Sequence, residues 1–413
     1  MDLEWMNKAR QIFKKYQVLF FVLMFLLISI LGVIGKHTTA TMPRWELVSF
    51  NTANMILAGD HKYGIVKDPP PPYREPNYFT HYPNGPTYVL LPFILFGVRD
   101  MRLLRIVPLS IAAFVISLFF FYFLKRSRSQ INAVFILLAF ISILLQPGII
   151  GWMAALQSFS YQMTMVFLII LAGYFIQDVN YIFLLFGFLC GWIGYDFIPA
   201  QILTMLIVRY IKHSQVNDNF INNVFLSFKE MLFGVLGVIL AIGSHFIQNA
   251  LYFGSFKEAF LDLFGAAEAR MFLNKGFNLN PTFVHYLMST NAYIEHNRPV
   301  NYMFLPGRLP LLLRNFWIFI SWSRPIVLII TLAAGLVSNI ITLYLNKLKL
   351  TRYLLNLMIV SILSISASVA WLILMRYHAG HIWLPRLFYV AYINIMVFMI
   401  VANEKPGDLE QGS

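Results

Sequence analysis

Residues 181–208 read YIFLLFGFLCGWIGYDFIPAQILTMLIV and carry a single charge, Asp196. Two apolar runs, 180–195 and 197–211, meet at Gly194-Tyr195-Asp196. Pro199 suits the first turn of the second one. Helices so uniformly apolar need a solvent other than water on their outer faces.

The same pattern recurs in both directions along the chain. Runs at 17–35, 103–124, 131–147, 158–176, 232–252, 325–344, 353–375 and 384–401 are each about as long as a helix crossing a hydrocarbon core. A shorter run at 86–98 reads as a half-span or tilted helix. The 413 residues are 59% hydrophobic and 12% charged, with a mean hydropathy of +0.68. A soluble domain carries about 25% charged residues, and an outer-membrane barrel gives alternating segments of about ten residues rather than continuous runs. The expectation is an all-α polytopic membrane protein with about 10–11 transmembrane helices and extracytoplasmic surface helices.

The net charge of +13 does not call for a nucleic-acid partner, because Lys and Arg fall in the breaks between apolar runs, where they set orientation or meet lipid headgroups. Lys8, Arg10, Lys14 and Lys15 precede the first run, KRSR closes the span ending at 124, and Arg209, Lys212 and His213 close another. These mark the cytoplasmic side. Both termini are then cytoplasmic, and 36–85, 148–157, the 195–197 break, 253–322 and 375–386 face outward, as in a protein integral to a bacterial plasma membrane. The first run is too long for a cleavable signal peptide. Cys190, the single cysteine, lies within an apolar run and can form no intramolecular disulfide. The chain divides into a module at 1–215, with its external loop 36–85, and one at 216–413 with the external segment 253–322. No internal repeat of the kind that inverted-repeat transporters carry is visible.

Acids are scarce enough to weigh singly. Between Met101 and Val216 only Asp178 and Asp196 occur. Asp178 reads as the cap of the next helix. Asp196 reads as a functional acid, since an ionisable group at membrane depth is costly unless it faces a cavity or a partner. In the first external loop, PRWELVSFNTANMILAGD spaces Leu47, Phe50, Ala53 and Ile56 as a surface helix, with Glu46 near its start. KDPPPPYREP follows as stiff extended chain. YFTHYPNGPTYVLL then turns at Asn84-Gly85 between Pro83 and Pro86 and enters the apolar run, holding His81 and Tyr82 at headgroup level. Late in the chain, RYHAGHIWLPR gathers Arg376, His378, His381 and Arg386, a set that suits phosphate better than metal. Arg270 is a further external cation, and His245 reads as a buried structural histidine. Phosphate-loop, dinucleotide and Ser-nucleophile motifs are not found in usable context.

This order resembles the GT-C glycosyltransferases, in particular the protein O-mannosyltransferase and aminoarabinose-transferase branch. The likeness rests on the Glu46 surface helix, the proline-rich loop, the HYPNGPTYVLL elbow, the helix ending in LFG, the RLLRIVP that follows, GYDFIPA and RYHAGHIWLPR. It covers about the first 215 residues most fully. The resemblance implies inverting transfer of a sugar from a polyprenyl-phosphate donor to a glycan, lipid or protein acceptor at an extracytoplasmic site. It assigns Glu46 and Asp196 to catalysis, and His81, Arg270, His378, His381 and Arg386 to the donor phosphate. Tyr73 and Tyr82 would contact sugar or acceptor. The family often places a second acid directly beside the loop acid, where this chain has Leu47. That departure makes a divalent metal less necessary, and no cofactor is expected to be required. The competing class is a transporter or flippase of lipid-linked saccharides, which also needs a midplane acid and external cations.

Overall fold

The computed structural model describes residues 3–38, 43–59, 66–67, 78–79, 83, 85–127, 130–156, 158–217, 219–272, 313, 316–317, 319–321, 323–345, 350–374 and 386–402. The described residues are helical apart from connecting turns and one short antiparallel pair, Val66↔Phe79 and Lys67↔Tyr78, which brackets the proline-rich segment.

Helix α1 (Leu3–Thr38) is kinked at Tyr16, where the basic N-terminal part gives way to the apolar span. The surface helix α2 (Pro43–Leu57) packs on α3 (Gly85–Leu95), and Ala53, Leu90, Ile94, Leu104 and Leu156 close a small core there. The short α4 (Met101–Leu104), capped by Asp100, leads into α5 (Ile106–Arg126). Then come α6 (Gln130–Leu144), α7 (Pro147–Ile150), α8 (Ser158–Phe175) and α9 (Asn180–Ile193). A single 3₁₀ turn, Tyr195–Phe197, joins α9 to α10 (Ile198–Val216). The remaining helices are α11 (Phe220–Phe253), α12 (Phe256–Phe272), α13 (Pro325–Leu345), α14 (Leu350–Leu374) and α15 (Leu387–Val401).

Five of these helices are long and apolar enough to cross a membrane, running over Lys15–Gly35, Met101–Arg126, Phe220–Phe253, Pro325–Tyr344 and Leu350–Leu374. They form the rim. Leu19, Leu23 and Ile30 on α1, Leu236 and Ile239 on α11, and Ile329 and Val337 on α13 are exposed. A surface so apolar suits lipid rather than water, and these helices mark a membrane-embedded protein. Shorter apolar helices occupy the middle, and nearly every residue of α15 is buried among α6, α10, α13 and α14. Helices α9 and α11 approach so closely that a Cβ at Gly187 would strike the Gly234 carbonyl, and one at Gly237 the Leu184 carbonyl. Small residues permit such backbone contact between helices in lipid.

One expectation is corrected. The stretch 214–231 was expected to be an amphipathic cytoplasmic segment ahead of a span at 232–252, yet 214–216 end α10 and α11 runs unbroken from Phe220 through the span to Phe253. Asn219 caps its start by accepting from the Asn222 amide at 3.1 Å, and no proline interrupts the continuation.

Candidate functional site

The bundle has two polar ends, and chain order alternates between them. At one end lie Arg126, the 173–177 turn, Arg209, Glu230, Arg352 and Val401. At the other lie the 146–156 segment, the 194–197 turn and Arg386.

The Arg209 end is sealed by hydrogen bonds. Arg209 Nε and Nη2 each donate to Glu230 at 2.6 Å. Its Nη1 donates to the Gly173 and Ile176 carbonyls at 2.9 and 3.1 Å, and Nη2 to that of Gln177 at 3.2 Å. Lys212 Nζ donates to the Ile176 carbonyl at 2.7 Å. The last carbonyls of α8, which no helical amide can reach, are thus met by buried cations that also suit the helix dipole. Arg352 donates to the Ser214 and Asn217 carbonyls at the end of α10. Asn339, Asn132 and Gln215 donate to the Met399, Ile400 and Val401 carbonyls of α15.

The Asp196 end is built differently. Helices α9 and α15 both start or finish at the Arg209 end and have 14 and 15 residues. At 1.5 Å per residue they rise only about 21–22 Å, against a hydrocarbon core of about 30 Å. Asp196, just beyond α9, and Arg386, at the head of α15, therefore lie inside the thickness spanned by the longer rim helices. Irregular backbone at that depth is tolerated only when covered by protein, and residues 148–156 are buried throughout.

That segment supplies Trp152, whose ring lies 4.3 Å from the Arg386 guanidinium, while Phe197 stands at 5.9 Å. Asp196 and Arg386 are themselves buried, at 6% and 2% exposure. Phe197, the residue after Asp196, thus brings the acid's turn to the Arg386 side chain. A cavity of about 10 Å³, lined by Gly148, Trp152, Ser160, Met163, Thr164 and Arg386, adjoins the cation and has room for one water molecule.

The elbow arrives at this same end. A Cβ at Gly85 would sit 2.6 Å from the Trp192 carbonyl oxygen, so only glycine lets the start of α3 rest on the last turn of α9. Tyr88 stacks on Trp192 with centroids 5.2 Å apart. On the other side of the Asp196 turn, a Cβ at Gly194 would lie 2.6 Å from Gln162 Nε2. The Gln162 side chain is fully buried, and neither amide atom has a hydrogen-bond partner in the protein. Gln201 Nε2 donates to the Gln162 backbone carbonyl at 2.9 Å, but its Oε1 has no partner. Tyr161 Oη and Gln146 Nε2 are likewise buried without one. Each such atom costs about 1–3 kcal/mol.

Of the residues singled out in the sequence, the structure brings Asp196 and Arg386 together. Glu46 lies on α2 and Arg270 on α12, placed by backbone alone. Tyr73, His81, Tyr82, His378 and His381 lie outside the described residues. Asp178 accepts from the amide of Asn180, the first residue of α9, at 3.2 Å, while Val179 rather than Asp178 holds the cap position. His245 is buried as expected and its Nδ1 is hydrogen-bonded to the Tyr195 hydroxyl, which ties α11 to the Asp196 turn. Sequence reasoning missed Trp152, Gln162 and Gln201. Their signal was the polar start of α8, QSFSYQMT at 157–164, and the Gln in IPAQILT. Among the described residues no cluster of three or more His, Cys, Asp or Glu is placed to hold a metal ion. No family model, curated protein or solved structure matches this chain.

Proposed function

We propose that the protein is an inverting membrane glycosyltransferase that moves a sugar from a polyprenyl-phosphate donor to an acceptor hydroxyl at the Asp196 end. The observation that carries this reading is the burial of Asp196 and Arg386 at one end of the bundle, with Arg386 5.9 Å from the Phe197 ring and the start of α3 resting on the last turn of α9. A membrane protein maintains ionised groups at such depth at a cost, and their usual return is function. The cation-rich Arg209 end is read as cytoplasmic, which makes the Asp196 end extracytoplasmic.

In this mechanism the acceptor oxygen attacks the anomeric carbon as the bond from that carbon to the phosphate oxygen breaks. The electron pair leaves with the polyprenyl phosphate, and the acceptor proton passes to Glu46. Asp196 orients the sugar, and Arg386, stacked on Trp152, holds that carboxylate ionised and in place. Arg270, His81, His378 and His381 supply positive charge to the departing phosphate. The reaction as written needs no cofactor.

The test is transfer from radiolabelled polyprenyl-phosphate sugars by the purified protein. Labelled product and free polyprenyl phosphate are expected from the wild type, with at least about 100-fold less from Glu46→Gln and from Asp196→Asn. Undiminished turnover by both variants sinks the proposal. Movement of intact donor across proteoliposomes, without its cleavage, would establish the flippase instead.

A further inference from the structure

The amides beside Asp196 have a chemistry that the proposed mechanism does not use. Gln162 sits on α8 and Gln201 on α10, both within the first turns of their helices at the Asp196 end. Both side chains are fully buried. Three of their four amide atoms, Gln162 Nε2, Gln162 Oε1 and Gln201 Oε1, are unpartnered by the protein. Buried polar groups in folded proteins are nearly always satisfied, so a donor and two acceptors left open point to an occupant from outside the chain.

The nature of that occupant follows from what surrounds it. An anion would be repelled by the Asp196 carboxylate, which precedes α10 by two residues. A cation would meet the buried Arg386 guanidinium, which lies 5.9 Å from the Phe197 ring of the same turn. A neutral hydroxyl both donates and accepts, which is what an amide nitrogen beside amide oxygens requires. Gly194 reinforces the assignment, because any side chain there would lie 2.6 Å from Gln162 Nε2 and push the amide out of its position.

We infer that Gln162 and Gln201 form an uncharged subsite that hydrogen-bonds a hydroxyl of the transferred sugar and so helps to select it. The inference rests on the transferase reading.

Thermal unfolding of the full chain in detergent tests this with two probes, a polyprenyl phosphate and the same lipid phosphate carrying a hexose. The hexose-bearing lipid should raise the wild-type midpoint beyond the bare one. Gln162→Leu should unfold no earlier than wild type without lipid, keep the shift from the bare lipid, and lose the hexose-dependent increment. Gln201→Met should lose the hexose-dependent increment likewise, though it also loses the hydrogen bond to the Gln162 carbonyl and should unfold somewhat earlier without lipid, and its lipid shifts carry the test if Gln162→Leu does not fold. A retained hexose increment in these variants overturns the inference. So does earlier unfolding of Gln162→Leu without lipid, because its amide would then be satisfied by structural water. A wild type that responds to neither lipid overturns the transferase reading and this assignment with it.

Discussion

At the Arg209 end one guanidinium serves a carboxylate and three carbonyls, and Lys212 takes up the Ile176 carbonyl as well. At the Asp196 end a guanidinium stacks on Trp152 beside a carboxylate, while neighbouring amides are left open. Both ends bury ionised groups in an apolar bundle, so burial alone does not separate a structural charge from a functional one. What separates them is how completely the polar atoms around the ions themselves are used, although Asn223 Oδ1 is left open elsewhere at the Arg209 end. A satisfied network specifies one arrangement, whereas a partly satisfied one carries a cost that the fold alone does not explain.

Double substitutions break the comparison most directly. Replacing a buried ion pair by apolar residues of similar size is often near neutral for stability. Asp196→Asn with Arg386→Met should therefore shift unfolding by no more than about 1 kcal/mol while abolishing transfer. Arg209→Met with Glu230→Met removes the pair and also strips the end of α8 of its donors. It should lose about 3–5 kcal/mol or fail to fold, read by thermal unfolding and by monodisperse yield. Equal stability losses at the two ends would show that both pairs are structural.

The sequence made these ends unequally legible. Asp196 stood out because a lone charge in apolar chain is expensive, and the helices around it stood out because lipid demands long apolar runs. Arg386 was visible as a cation, but its pairing with Asp196 is a long-range contact that no local pattern encodes. Gln162 and Gln201 were not legible, since an uncharged amide in an apolar helix is ordinary until its neighbours are known. Glu230 was hidden for a related reason. In sequence it belongs to a polar stretch that looks cytoplasmic, and only the continuity of α11 brings it to Arg209.

The elbow provides a smaller test on the Asp196 side. Gly85→Ala would drive a methyl group to 2.6 Å from the Trp192 carbonyl, and backbone cannot rotate aside as a side chain can. Overpacking of this kind costs about 1–3 kcal/mol. The start of α3 should lift from α9 and carry the first loop with it, so transfer should fall more than the modest stability loss explains. Gly243→Ala, at a helical site with nothing within 4 Å, is the matched control and should leave both properties nearly unchanged.

The finest distinction is between charge and shape at position 386. Arg386→Lys keeps the positive charge that the Asp196 carboxylate needs but loses the planar face lying over Trp152. A cation–π contact is worth about 0.5–2 kcal/mol, so unfolding should shift by no more than that. If the guanidinium plane sets the angle at which the Asp196 carboxylate faces the sugar, the lysine variant should lose kcat with KM little changed. If only charge matters, turnover should survive. Arg352→Lys at the opposite end gives the complementary readout. There the side chain reaches two carbonyls with Nη2, contacts that an ammonium can also make, and a small stability change without any kinetic effect is expected. A kinetic loss confined to position 386 would make orientation, rather than the mere presence of a buried charge, the feature that distinguishes the two ends.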